Sequence, residues 1–511
     1  MTTPPAERRL HPWSWLFVLL QQVRQFIVPL VVLLFVGGRA EDSYLLWPLL
    51  GVGALVVASV WQYFTYRYRV DEDRLVVREG VLERNVRQIP FARIHNVALH
   101  QTLLHRAFRV AEVRLESAGG TKPEAEMRVL PIAEAMALER LIRTRGAVMA
   151  DPGAAGAAAR EADGRSTDTH GADARGGRLL LALPFRELVR LGLVSNRGMV
   201  VVAGAFALAW QAVPDRLLAD LVRDYAGQAV GYAGSVVQGL AARLLALVLF
   251  VVLVLVLLRL LSVLLALTQY HGFRLLIEGR RLTVERGLLS RLRTSVPRRR
   301  IQAWTLEEGV LHRVLRRRTL QVDTAAGAGP SNEQRGLREI APIASADACD
   351  RLVNELLPAA QWPPVGWRRL HPRAWQRLAL PGAALSALAA MLACWQFGPV
   401  GLAFLAWMPW AIFAARQRAL RAGYALGNGV VAVRAGWWSR HWRFAEIDKI
   451  QALRLERSPL DRVFGMASLW LDTAGARPTA PMLRLRYMSA NEAQALHARL
   501  AAELARMPLR W

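Results

Sequence analysis

The chain has 511 residues, is 53% hydrophobic with a mean hydropathy of +0.21, and carries a formal net charge of +26. Such hydropathy is high for a water-soluble protein and points to membrane spans, while the charge favours anionic partners, either phospholipid headgroups or nucleic acid. The only cysteines, Cys349 and Cys394, have no metal-ligand spacing, which argues against a disulfide framework or a zinc cluster.

Residues 1–13 are polar and basic, with Arg8 and Arg9. Trp15–Val36 and Tyr44–Phe64 are each long enough to cross a hydrocarbon core of about 30 Å at about 1.5 Å per residue. The short connection Gly37–Ser43 makes them a transmembrane hairpin, so residues 1–65 form the first unit. Gln21, Gln22, Arg24 and Gln25 interrupt its first span. No cleavable signal peptide is expected, because the first apolar run lacks a small-residue cleavage site.

Residues 66–145 read as a run of short strands: Arg74–Arg78, a second one ending at Ile89, then Asn96–Leu99, Val110–Glu116 and Met127–Leu130. A helix over Ile132–Arg143 closes them. Residues 146–180 are Ala, Gly, Asp and Arg without periodicity, the composition of a disordered linker. Residues 181–269 hold an amphipathic stretch, Pro184–Arg197, a short span, Gly198–Val213, and the strongly apolar Leu244–Leu267. Arg259 inside that last span either snorkels to the interface or lies within a helix bundle.

Residues 270–358 repeat the strand module, 359–418 supply a third hairpin (Leu378–Trp395 and Gly401–Ala415), and 419–508 form a third module. Its last helix opens on a capping box, Ser489 to Glu492. The hairpin tips carry little positive charge, whereas the module sides carry Arg8, Arg9, Arg67, Arg69, Arg368, Arg369, Arg416 and Arg418. The excess of arginine beside the modules predicts both termini and all three modules on the cytoplasmic side of a cell (inner) membrane.

The modules are copies of one another. Gly80-Val81-Leu82, Gly287-Leu288-Leu289 and Gly436-Trp437-Trp438 open equivalent stretches. These run through Ile94, Ile301 and Ile450 to Ser117-Ala118-Gly119, Thr324-Ala325 and Thr473-Ala474-Gly475. Copy two lies 207 residues after copy one (287 − 80) and copy three 149 after copy two (436 − 287), without a gap in register. That spacing is too long and uneven for a solenoid, so each copy is expected to be its own module. Arg368-Arg369-Leu370-His371-Pro372 also repeats Arg8-Arg9-Leu10-His11-Pro12.

Copy one carries Ile89-Pro90, Arg93-Ile94, Asn96, Leu104, Arg106 and Phe108; copy two carries Val296-Pro297, Ile301-Gln302, Leu311, Arg313 and Leu315; copy three keeps Ile450-Gln451, Leu460, Arg462 and Phe464-Gly465 but has Ala445-Glu446 where the others have Ile-Pro or Val-Pro. With the Ser/Thr-Ala-Gly ends, this pattern resembles the bacterial pleckstrin-homology-like (PH-like) family. The chain as a whole is similar to its multi-copy, YdbT-type membrane proteins. The resemblance implies a multi-domain membrane protein in which α-helical transmembrane hairpins alternate with three PH-like β-sandwich or barrel modules, each closed by a C-terminal helix. It also implies a link to envelope stress or antimicrobial resistance, and a smaller one-module PH-like membrane protein as partner.

The densest charge lies between Glu278 and Arg318, with twelve arginines against four glutamates. Near an anionic leaflet each positive charge adds on the order of 1 kcal/mol of attraction. The alternative is a solvated face in an arginine-rich chain. The candidate headgroup or partner contacts are Arg84, Arg87 and Arg93 in copy one, Arg291, Arg293, Arg298, Arg299 and Arg300 in copy two, and Arg440 and Arg443 in copy three. A nucleic-acid partner is not expected, because no aromatic stacking pattern is interleaved with these charges. His95, His100 and His105 recur every five residues, which is not a metal-ligand spacing, so no metal and no cofactor is expected. Glu116, Asp323 and Asp472 occupy one repeat position and are read as structural acids, for example as partners of an arginine. No catalytic motif is present, so an enzyme is not expected. The expected work is that of a non-catalytic scaffold or sensor at the bilayer; the alternative is a subunit of a lipid or peptide export system, with Arg24 or Arg259 lining a path.

Overall fold

A computed structural model of the chain describes residues 64–71, 73–80, 85–91, 94–117, 125–150, 177–212, 240–325, 337–364, 366–476 and 480–506, together with parts of 8–20 and isolated positions between 53 and 61. Nearly all of the first hairpin, including Arg24, lies outside them, as do Arg84, Arg93 and residues 151–176 of the expected linker.

The first module comprises β1 (Arg8–Arg9), β2 (Arg67–Val70), β3 (Arg74–Glu79), β4 (Asn85–Pro90), β5 (Ile94–Gln101), α1 (Leu103–Ala107), β6 (Val110–Ser117), β7 (Ala125–Pro131) and α2 (Ile132–Ala150). The order β1-β2-β3-β4 makes one antiparallel sheet and β5-β6-β7 another. Alternate residues of both, among them Tyr68, Leu75, Val77, Ile89, Val97, Leu99, Val113 and Met127, close on one core that Leu138 and Ile142 of α2 cover. The strands match the expected alternation, and β4 ends on Pro90, which cannot donate a ladder hydrogen bond.

The second module adds β8 (Arg178–Ala182), α3 (Phe185–Val194), α4 (Arg197–Ala212), α5 (Leu240–Tyr270), β9 (Arg274–Glu278), β10 (Arg281–Arg286), β11 (Arg291–Pro297), β12 (Ile301–Glu308), α6 (Val310–Val314), β13 (Arg317–Thr324), β14 (Glu339–Ser345) and α7 (Ala346–Leu356). The third adds β15 (Arg368–Arg369), α8 (Ala374–Phe397), α9 (Trp407–Arg421), β16 (Gly423–Gly427), β17 (Val430–Ala435), β18 (Arg440–Glu446), β19 (Ile450–Glu456), α10 (Pro459–Val463), β20 (Met466–Thr473), β21 (Arg484–Ser489) and α11 (Ala490–Ala505).

Two expectations need correction. The linker assigned to 146–180 is shorter at both ends: α2 runs through Ala150, and Arg178–Ala182 pairs with β9 as an edge strand. More consequentially, the copies are not separate modules. The second sheet of each module continues into the first sheet of the next, giving two seven-stranded sheets, β7-β6-β5-β11-β10-β9-β8 and β14-β13-β12-β18-β17-β16-β15. A bare edge strand is a template for pairing, and each copy covers the edge of its predecessor.

The basic segments that precede the apolar helices are also strands. Arg8 and Arg9 pair with Tyr68 and Arg67, and Arg368 and Arg369 with Tyr424 and Gly423. The following histidine then donates its backbone N–H to the last strand, His11 to Val129 and His371 to Tyr487. Copies one and three are thereby clasped around the roots of their own helices.

Leu244–Tyr270 and Ala374–Arg421 are long and apolar enough to cross a membrane, and the pair α3–α4, bent by 52°, makes a third candidate when counted as one. Within Ala374–Arg421 the chain doubles back: Gly382 lies against Ala411, and Ser386 Oγ donates to Phe404 O at 2.7 Å. The amphipathic stretch Pro184–Arg197 does not lie free. Leu188 and Leu191 of α3 enter the core of the second module, and Gly192 lets α3 press on Val263 of α5.

Candidate functional site

Each module has a helix-side end and a distal end, and strand direction decides which residues sit at which. β9 leaves α5, β10 returns, and the hairpin tip after it meets the end of α5: Gly287 N donates to His271 O and Leu288 N to Thr268 O, both at 2.9 Å. The tip needs glycine. Gly287 and Gly436 have φ of 112° and 94°, and a Cβ on either would collide with the carbonyl of Ser290 or Ser439. The next two residues are apolar, Leu288 and Leu289 in copy two and Trp437 and Trp438 in copy three, with Leu288, Leu289 and Trp438 exposed. Trp437 packs on Trp410 and Phe413 of α9 at 5.8 and 5.5 Å between ring centroids.

The short helices α1, α6 and α10 lie at the same end. Each follows the strand that returns there, and each touches the root of the apolar helices. His105 and Phe108 meet Phe17 and Trp13; Arg317, just past α6, holds Glu187 of α3 through two bonds of 2.8 and 2.9 Å; Arg377 of α8 reaches Asp461 of α10 at 3.1 Å. Their outward faces are apolar: Leu103 and Leu104, then Val310, Leu311 and Val314 (73% exposed), then Leu460 and Val463 (77% exposed). Arg106, Arg109, Arg291, Arg316 and Arg462 are exposed among them. Apolar tips interleaved with arginine form a rim around the helix roots, the composition that suits a bilayer interface.

The seams are the second feature. β5 pairs with β11 as Gln101–Arg291, His100–Leu292, Leu99–Arg293, Ala98–Thr294 and Val97–Ser295. β12 pairs with β18 as Glu308–Arg440, Glu307–His441, Leu306–Trp442, Thr305–Arg443 and Trp304–Phe444. Moving the first set by the repeat offsets of 207 and 149 reproduces the second at all five positions. One head-to-tail step therefore relates copy one to copy two and copy two to copy three. A side-chain clamp recurs too: Arg106 Nη1 donates to Leu288 O at 3.0 Å, and Arg313 Nη2 to Trp438 O at 2.7 Å. Gly475 of copy three closes against Thr324 O of copy two, an approach only a residue without Cβ permits.

The candidate arginines divide among these surfaces. Arg291 and Arg440 start their strands beside the rim, with Arg440 4.0 Å from Glu308 across the seam. Arg443 is 2% exposed; its Nη2 lies 2.7 Å from Asp323 and its Nη1 donates to Thr305 at 3.0 Å. It is a seam residue, closed to any headgroup. Arg293 is also in a seam, 3.0 Å from Glu278, 3.5 Å from Glu285 and 3.8 Å from Glu139 of the preceding copy. Arg298, Arg299 and Arg300 lie away from the rim. β11 carries the chain about 20 Å from the rim at about 3.3 Å per residue, so the triplet sits at the distal end. There Arg298 donates to Leu356 O at the end of α7, and burial together with Arg299 lowers the pKa of Arg300. Arg87 is exposed on β4, at the repeat position of Arg443.

The expected structural acid is realised in Asp323, whose carboxylate is fully buried against Arg443. Asp472, its counterpart in copy three, is exposed. Arg259 is consumed locally: its Nη1 donates to Leu193 O, Ser195 O and Asn196 Oδ1, each at 3.1 Å, closing the bend between α3 and α4. His100 lies 3.3 Å from Glu112 and His105 2.6 Å from Thr102; no group of metal-ligating side chains occurs among the described residues.

A family model described as a bacterial PH domain matches the chain three times, over residues 16–146, 231–357 and 377–504. The second and third matches take in apolar helix ahead of the strands, and all three end in or just past the closing helix. The chain is also similar to the UPF0699 transmembrane protein YdbT of Bacillus subtilis (strain 168), 22% identical over 346 residues, or 66% of each chain and so just under two thirds of that relative. No solved structure matches.

Proposed function

The chain belongs to the bacterial PH domain family, and on that premise we propose that this membrane protein is a non-catalytic scaffold whose helical hairpins anchor a rigid array of three PH-like modules on the cytoplasmic face of the inner membrane. The observation that carries the proposal is the rim. In all three copies an exposed apolar short helix with an arginine stands at the root of the apolar helices, beside the hairpin tip of the following copy where one follows. On this reading the leucines, valines and tryptophans enter the interface, and Arg106, Arg109, Arg291, Arg316 and Arg462 meet anionic headgroups. A smaller PH-like membrane protein is the partner class that the family resemblance suggests, and envelope stress the setting. Arg259, bonded to the bend it closes, supports helices that serve as anchors over helices that line an export path.

The test uses the intact chain in detergent micelles. Anionic lipid added to the micelles raises the melting temperature more than uncharged lipid does. The gain shrinks as salt rises, and it falls in a variant with Arg109, Arg291 and Arg316 changed to glutamine. Changing Arg298, Arg299 and Arg300 leaves it intact. Equal melting in both lipids would remove headgroup contact from the account.

A further inference from the structure

The step that joins the copies has not run out of surface at either end of the chain. β5 and β12 are each covered by a strand of the next copy, while their counterpart β19 pairs only with β20 among the described residues. Arg106 and Arg313 each clamp the hairpin tip of the next copy; their counterpart Arg462 makes no side-chain hydrogen bond or ion pair among the described residues. Asp323 is buried by an arginine of the next copy, and its counterpart Asp472 is exposed. Backbone edge, clamp and acid thus show one vacancy in three independent ways. At the other end of the chain β4, the counterpart of β11 and β18, pairs only with β3 among the described residues.

We propose that β19 receives β4 of a second copy of this chain, in the register of the two internal seams, so that the array continues head to tail in the membrane. The repeat offsets fix the pairing: Gln88 opposite Leu453, Arg87 opposite Arg454, and Val86 opposite Leu455. Arg87 then approaches Asp472 as Arg443 approaches Asp323. Arg454 replaces Thr305 there and places a like charge opposite Arg87, which Asp472 offsets. The same step already keeps three copies with their helix roots on one side, as a further copy in the same membrane would require. Because the step is head to tail, the product is an open row or a ring rather than a closed pair. This inference goes beyond the scaffold reading and does not need headgroup contact.

The experiment is disulfide trapping with the full chain in vesicles of uncharged lipid, which leaves lipid recognition out of the outcome. Cys394→Ala removes one native thiol; Cys349 is buried, with its thiol pushed up to about 12, and stays inert. Gln88→Cys with Leu453→Cys should give intermolecular dimers and higher bands on mild oxidation, since opposed strand positions lie within disulfide reach. The pair Gln88→Cys with Leu455→Cys, out of register, should not. Asp472→Arg should cut the trapped fraction by about tenfold or more, because it replaces the carboxylate facing Arg87 with a like charge. Adding Arg87→Asp should restore it, and Arg454→Thr should raise it. Monomer alone from a chain with unchanged melting, or equal trapping by both cysteine pairs, would overturn the proposal.

Discussion

The two seams share a register and differ in what fills it. In the first, Arg293 reaches three carboxylates and remains partly exposed, with Thr294 opposite Ala98 on the other face. In the second, the arginine has moved one residue along the strand and so to the opposite face: Trp442 stands at the position of Arg293 and Arg443 at that of Thr294. Arg443 and Asp323 are buried there, and the opposite face of the same strands carries the stacked rings of Phe444, Trp304 and Trp362. Backbone pairing sets the geometry of the step, and side chains set its strength and its dependence on conditions. Two different fillings of one register indicate that the register itself is what the array needs.

That contrast can be broken most sharply at Arg443. Arg443→Ala strands a buried carboxylate, and the local opening free energy of β12 and β18, read by amide hydrogen exchange, should fall by about 3–5 kcal/mol. Replacing Asp323 and Arg443 together by leucine and methionine should recover most of that loss. Arg293→Ala should cost the first seam about 2 kcal/mol, since its hydrogen-bonded partner Glu278 keeps more access to water. Arg313→Ala removes a clamp at the rim and should cost about 1 kcal/mol, with faster exchange confined to the Gly436–Arg440 tip.

The smallest effect is on pH. Burial, then Arg486 and Arg443, hold the pKa of His441 below its usual value. The unfolded chain therefore takes the proton first as pH falls. The contribution of His441 is complete above about pH 6.5 and is lost on acidification below that. Glu446 acts in the opposite sense: burial, then Asp448, raise its pKa, so its contribution is held at low pH and lost as pH rises through the raised value. Opening of the second seam should increase between about pH 6.5 and 5, and His441→Gln should flatten that slope.

Strands, closing helices and repeats were readable because alternation, turn glycines and a gapless offset are local signals, and β3 to β7 fall where the pattern puts them. The seams were not. A strand written to pair within a module has the same alternation as one that pairs between modules, so nothing in Asn96–Leu99 announces Arg291–Ser295 as its neighbour. The candidate arginines were chosen by density, which cannot separate the rim from the distal end of the same strand; Arg291 and Arg298 stand at opposite ends of β11 and its exit. Arg106, Arg109, Arg316 and Arg462 were missed as candidates although Arg106, Arg313 and Arg462 stood in the repeated short-helix motif. The signal that could have found them is recurrence at one position next to exposed apolar residues, rather than charge count.

The central claim is that the three copies form one strand-paired array with a fixed step. The most direct measurement is intramolecular disulfide trapping at two equivalent pairs in the intact chain, His100→Cys with Leu292→Cys and Glu307→Cys with His441→Cys. The array predicts that both close rapidly and to similar extents, while partners moved by two residues, His100 with Thr294 and Glu307 with Arg443, do not. Trapping of neither pair, or of the shifted pairs as readily as the matched ones, would mean that the copies are separate domains and that the rim is not one surface.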